Sequence, residues 1–190
     1  RFCLRQPDSE VRPLLFDRLY PYLDGGGRTG EFWRRFFLDA GEPEDPLFSH
    51  MPRFLLTSWI KEFYTPAMRE RLEGYDALQA AREDLPEAFE GWSALNRAAY
   101  LEFTTLLAPY LLSSQGDRMA IANGVEGRVP FLDHRLFEFA AALPARSKLP
   151  GLREKVILRQ WAQSILPPVV ADRPKQPYRA PDIPAFFGDS

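Results

Sequence analysis

Cysteine and histidine are nearly missing from this 190-residue chain: Cys3 stands alone, and His50 and His134 are the only imidazoles. A single cysteine excludes an internal disulfide and a cysteine-built zinc site. Any metal held by side chains would therefore need carboxylates. A strong charge of one sign is missing too. The formal net charge is −2, so the global balance suggests neither nucleic acid nor an anionic membrane as the main partner. No apolar run approaches the roughly 18–20 residues of a membrane helix, and no basic-then-apolar leader opens the chain. Strand signals are thin, with no clean period-two run, no Asn-Gly hairpin and no repeat at a fixed period. Also absent are a Gly-rich phosphate loop, an SGGxDS-type loop, a G-x-S-x-G elbow and an HExxH pair. The chain holds no complete catalytic constellation.

What is present describes a folded, mainly α-helical piece. Hydrophobic residues make up 45% of the sequence, aromatic 14% and charged 26%, enough for one domain with a sizeable core. The chain opens on Arg1 and closes on PAFFGDS without an obvious helix stop; the expectation is an internal piece of a longer protein. Helical spacing runs from Ser9 through Leu14, Leu15, Leu19, Tyr22 and Leu23 to the Gly25–Gly27 stop, and again over Glu31–Ala40. A proline-punctuated loop follows, then helices over Phe54–Phe63 and from Pro66 to Leu72. Ser93 suits the cap of a helix reaching about Leu112, which Pro109 should kink. Asp133 suits the cap of a helix holding Leu136, Phe137 and Ala140, stopped by Pro144. Ile157, Trp161 and Ile165 mark a last helix over Arg153–Leu166, with Pro167-Pro168 as terminator.

Three places could carry chemistry. Glu126 and Arg128 lie two apart in an apolar segment, so in extended backbone they share a face. Either they form a buried, fold-specifying ion pair beneath a Pro130-Phe131-Leu132 plug, or they reach a common ligand at a site rim. Lys155 falls in the first turn of its helix, where the helix dipole disfavours a cation unless an anion binds there. Basic residues crowd the C-terminal part: Arg146, Lys148, Arg153, Lys155, Arg159, Arg173, Lys175 and Arg179 face only Glu154, Asp172, Asp182 and Asp189. Such an excess suits either a solvated face or a phosphate-bearing ligand. Prolines in RPKQPYRAP stiffen the presentation of its bases, on a surface coil or against a ligand.

The stretches LLSSQGDRMAIANGVEGRVPFLDHRL, GLREKVILR and LPPVVADRPKQPYRAP occur in that order. With RLYPYL, EDPLFSH and the Tyr100-Leu101-Glu102 region, they carry a resemblance to the asparagine synthetase family over nearly the whole chain. The nearest look is the bacterial, glutamine-hydrolysing type. The resemblance implies that residues 1–190 are a partial synthetase domain. They would form the helical C-terminal portion of an α/β ATP-pyrophosphatase-type (adenine nucleotide alpha hydrolase-like) fold. The glutaminase domain, the pyrophosphate loop and an acidic GEGxDE-type motif would lie upstream. It further implies aspartate, ATP with Mg2+ and glutamine-derived ammonia as reactants, with the metal held mainly by those upstream residues. The product would be asparagine, formed through β-aspartyl-AMP with release of AMP and pyrophosphate. Lys155 matches the family lysine that helps bind pyrophosphate, and Arg118, Glu126 and Arg128 match positions lining or bracing the same pocket. A cytoplasmic enzyme, possible as a homo-oligomer, is the corresponding expectation, and the piece alone should be inactive. Alternatives are a β-lactam-closing or natural-product amide-forming relative and a helical interaction module without chemistry.

Overall fold

A computed structural model describes residues 6, 8–18 and 41–173. The helix expected over Glu31–Ala40 and most of RPKQPYRAP lie outside these residues. Among the described residues every regular element is helical and no strand occurs. The elements are α1 (Val11–Leu14), α2 (Met51–Ser58), α3 (Pro66–Arg71), α4 (Ala77–Glu83), α5 (Ala94–Glu102), α6 (Arg118–Ala122), α7 (His134–Ala142), α8 (Ala145–Lys148), α9 (Val156–Ala162) and α10 (Pro168–Ala171).

Side-chain caps set four of the ten helix starts among the described residues. Thr65 accepts the Met68 N–H ahead of Pro66, whose missing N–H costs nothing in a first turn. Asp76 accepts the N–H groups of Leu78 and Gln79 and opens α4, a helix the sequence reading did not place. Ser93 caps α5 through the Asn96 N–H, and Asp133 caps α7 through those of Arg135 and Leu136. Hydrogen bonds from the Arg135 guanidinium and those two N–H groups hold the Asp133 carboxyl below its ordinary range.

The core gathers where α2, α4 and α5 meet. Leu47, Met51, Phe89 and Leu101 are buried, with Phe54, Leu78, Ala81, Leu85, Trp92 and Tyr100 packed around them. Phe89, Trp92 and Tyr100 stack at centroid distances of 5.5–5.7 Å, the Tyr100 ring lying edge-on to the other two. Asp45 ties the preceding turns to this core, accepting the Leu47 N–H and pairing with Arg82 of α4 at 2.8 Å.

The long helix departs from expectation. It does not end near Leu112. Winding changes at Phe103 to a π-helix through Asp117, then returns to α over Arg118–Ala122. The hydroxyls of Thr104 and Thr105 donate to the carbonyls of Tyr100 and Leu101 where the change begins. Such back-bonds compete with the i→i−4 ladder. Pro109, which offers no N–H, sits within the wide turns. Gly124, at φ +66°, then closes the run: its N–H reaches Ile121 and the Val125 N–H reaches Ala120. That pairing is a Schellman stop.

Two long-range contacts dock the later helices. Phe103 meets Phe137 of α7 edge-on at 4.6 Å. The Lys148 ammonium donates to Asn96 Oδ1 at 2.8 Å and to the carbonyls of Ala140 and Ala141 at 3.1 Å. It thereby satisfies two orphan acceptors at the C-terminal end of α7. Pro168 does not merely end a helix, since it starts α10. The Arg159 guanidinium ties α10 to α9 through the carbonyls of Ala171 and Arg173.

Candidate functional site

Glu126 and Arg128 stand on the extended segment after Gly124 and pair with each other at 3.0 Å. They are 73% and 82% exposed, so the pair is a surface one. Of the two readings, the buried pair under a plug is corrected on this point: Phe131 is itself 65% exposed. The two charges keep each other's company at no large desolvation cost.

Arg118 begins α6, and its side chain is exposed. Lys155 is also exposed, but it does not occupy the first helical turn. It is the N-cap of α9, with φ +56° and ψ +31°, and its side chain makes no capping bond. The helix proper begins at Val156 and runs seven residues, which weakens the dipole argument drawn from the sequence. Among the described residues, no hydrogen bond or ion pair joins Lys155 or Arg118 to Glu126 and Arg128. The structure therefore brings together one pair of the four residues.

The backbone before Lys155 is unusual. Gly151 has φ +54°, and Leu152 and Lys155, neither a glycine, have φ +59° and +56°. Each left-handed L-residue costs about 1–2 kcal/mol and persists only where its surroundings fix it. Leu152 is buried, the Arg153 N–H reaches the Pro150 carbonyl at 3.0 Å, and the Lys155 carbonyl accepts the Arg159 N–H at 2.9 Å.

A second polar cluster escaped the sequence reading. His50 is buried at the N-cap of α2, with Nδ1 3.0 Å from Ser49 Oγ and Nε2 3.0 Å from Glu102 Oε2. The same carboxylate oxygen accepts from Arg53 Nη1 at 3.0 Å. Burial pushes the His50 pKa below its ordinary value, although the Glu102 hydrogen bond and charge oppose the shift. Glu102 is the last α residue before the π winding, so the cluster pins α2 to that junction. The partners are 52 residues apart, and no spacing rule links them. The signal available was the chain's rare histidine beside an apolar run.

Among the described residues, no three His, Cys, Asp or Glu side chains gather as a metal site would need. No helix among these residues is long and apolar enough to cross a membrane.

Among the described residues the scaffold is strand-free, and exposed bases stand where α6 and α9 begin, at Arg118 and Lys155. Residues 28–189 match the asparagine synthase family, and the chain belongs to it. It is 40% identical over 75 residues to asparagine synthetase [glutamine-hydrolyzing] 3 of Bacillus subtilis, covering 40% of this chain and 12% of that protein. Asparagine synthetase [glutamine-hydrolyzing] 1 of the same organism is 33% identical over 90 residues, 47% of this chain and 14% of the relative. Amidase chyE of Penicillium rubens is 31% identical over 116 residues, 58% of this chain and 16% of the relative. These matches span only 12–16% of the relatives' lengths. No solved structure matches the chain.

Proposed function

We propose that the chain is the helical C-terminal portion of the synthetase domain of a glutamine-dependent asparagine synthetase. In the complete enzyme, an ATP-pyrophosphatase-type α/β fold with its phosphate loop, and a glutaminase domain, precede these residues. The observation that carries this reading is the family match over residues 28–189, which includes the E-K pair at Glu154-Lys155. Aspartate is activated by ATP as β-aspartyl-AMP. Ammonia released from glutamine attacks the acyl carbon, and asparagine and AMP leave after pyrophosphate. Lys155 contributes a fixed positive charge where negative charge grows on the departing pyrophosphate. Arg118, Glu126 and Arg128 line or brace the same pocket. Mg2+ accompanies ATP and is held by residues outside the described set. The enzyme works in the cytoplasm. The large apolar side chains left exposed, among them Trp59, Phe63 and Trp161, are the faces the rest of the domain covers.

The test is Lys155→Ala in the complete polypeptide. Amide synthesis should disappear while glutamine hydrolysis persists; equal loss of both would point to misfolding instead, and full synthesis would undo the assignment. The 190-residue chain alone should show no aspartate-dependent ATP–pyrophosphate exchange, and exchange by it would overturn the proposed division of the site.

A second reading is an amide-forming relative with a different acceptor. It is favoured by the amidase match, which covers 58% of the chain against 40% and 47% for the two synthetases named above. Exchange driven by another carboxylic acid but not by aspartate would select it.

A further inference from the structure

We propose that Arg18 is a positioning residue for Lys155, clamping from a distant part of the chain the strained turn that presents the lysine. This rests on the reading of Lys155 given above. The 3-10 turn Leu15–Arg18 packs against the 3-10 turn Pro150–Leu152. There the Arg18 guanidinium donates through Nη1 to the Gly151 carbonyl at 3.2 Å, across 133 residues of sequence. Gly151 meets two demands at once. Its φ of +54° suits a residue without a side chain, and a Cβ there would lie 3.3 Å from the approaching Nη1. Four residues later the backbone is left-handed again at Lys155.

The strain makes the clamp consequential. A turn holding two non-glycine residues at positive φ relaxes unless its carbonyls and side chains are held. Leu152 anchors it from the core side, and the Lys155 carbonyl is fixed into α9. Arg18 fixes the opposite end. With the clamp released, the turn between Gly151 and Lys155 can revert to ordinary backbone angles, which redirects the lysine side chain without removing it. Arg18 touches no substrate in this scheme and acts through the turn.

The experiment has two arms. In the 190-residue chain, limited trypsin digestion followed by mass spectrometry reads opening of the turn at Arg153 and Lys155, with the Arg97–Ala98 bond in α5 as internal reference. Arg18→Gln should speed cleavage at the turn about tenfold relative to the reference, because proteolysis follows local opening. Arg18→Lys, which keeps a donor, should restore part of the protection. Unchanged cleavage in Arg18→Gln overturns the clamp. In the complete polypeptide, Arg18→Gln should lower kcat for amide synthesis at least about tenfold with KM for aspartate held, as misplacement of a charged group does. Arg18→Lys should recover much of it. An opened turn with intact kcat, while Lys155→Ala abolishes synthesis, refutes positioning and leaves the role of Lys155 standing. Full synthesis by Lys155→Ala removes the functional reading itself, and the proposal falls with it.

Discussion

The Glu126–Arg128 pair gives the sharpest test of how the site region is built. At 3.0 Å, two unit charges in water attract by about 1.4 kcal/mol. Ordering two long, exposed side chains and screening by salt reduce that to about 0–1 kcal/mol. A double-mutant cycle with Glu126→Gln and Arg128→Met in the 190-residue chain, read by urea denaturation, should therefore give a coupling below about 1 kcal/mol. The coupling should shrink further as salt rises. A buried pair would instead lose about 3–5 kcal/mol when one partner is removed. A measured coupling above about 2 kcal/mol would refute the surface placement. The same variants in the complete polypeptide address ligand contact. If the charges act on substrate, kcat/KM should fall about a hundredfold, some 2.7 kcal/mol of transition-state stabilisation, while stability hardly moves. A loss under threefold would leave the two residues as partners of each other alone.

Three further outcomes follow from the packing. Phe89 is 1% exposed and packs against the Trp92 and Tyr100 rings, so Phe89→Ala should destabilise the chain by about 3–5 kcal/mol in urea denaturation. Lys148→Met strips a charged donor from the Ala140 and Ala141 carbonyls and from Asn96; a loss of about 1–2 kcal/mol is expected by thermal unfolding. His50 titrates below its ordinary value because it is buried, against the pull of Glu102, so between the folded and unfolded pKa values the unfolded chain binds more protons than the folded one. Stability should be full above about pH 6.5 and fall as pH drops through the folded pKa; His50→Gln should flatten that part of a pH–stability curve.

What could be read in the sequence was local. Thr65 and Pro66, Ser93 and Asp133 begin helices because a side-chain oxygen two or three residues from an orphan N–H needs no tertiary help. Asp76 follows the same rule and was readable on the same grounds. The Glu126–Arg128 contact follows from two-residue spacing in extended backbone, but its exposure does not, because burial depends on what else packs there. Pro109 was read as a kink because an α ladder was assumed; a π winding accommodates it instead. The left-handed backbone at Leu152 and Lys155 had no signal, since neither residue favours it and only packing from elsewhere imposes it. Nor could spacing reveal Glu102 against His50 or Arg18 against Gly151.

The helical stripes show where local reading and global packing part. Ile157, Trp161 and Ile165 recur at the spacing that marks a core-facing side, and α9 forms beneath the first two. Yet Trp161 is 60% exposed, while Ala162 and Ala171 are buried. Phe63, which ends a predicted apolar helix, is 85% exposed. Periodicity records which face of a helix is to be dehydrated; it does not record what dehydrates it. Burying an aromatic side chain is worth about 1.5–3 kcal/mol, so each of these residues leaves a gain unrealised in the described packing. Among the described residues the buried core is the set around Leu47, Met51, Phe89 and Leu101, and the later stripes stay largely outside it. The helices that begin at Arg118 and just after Lys155 are among several whose apolar side chains face solvent, here at Met119, Ile121 and Trp161.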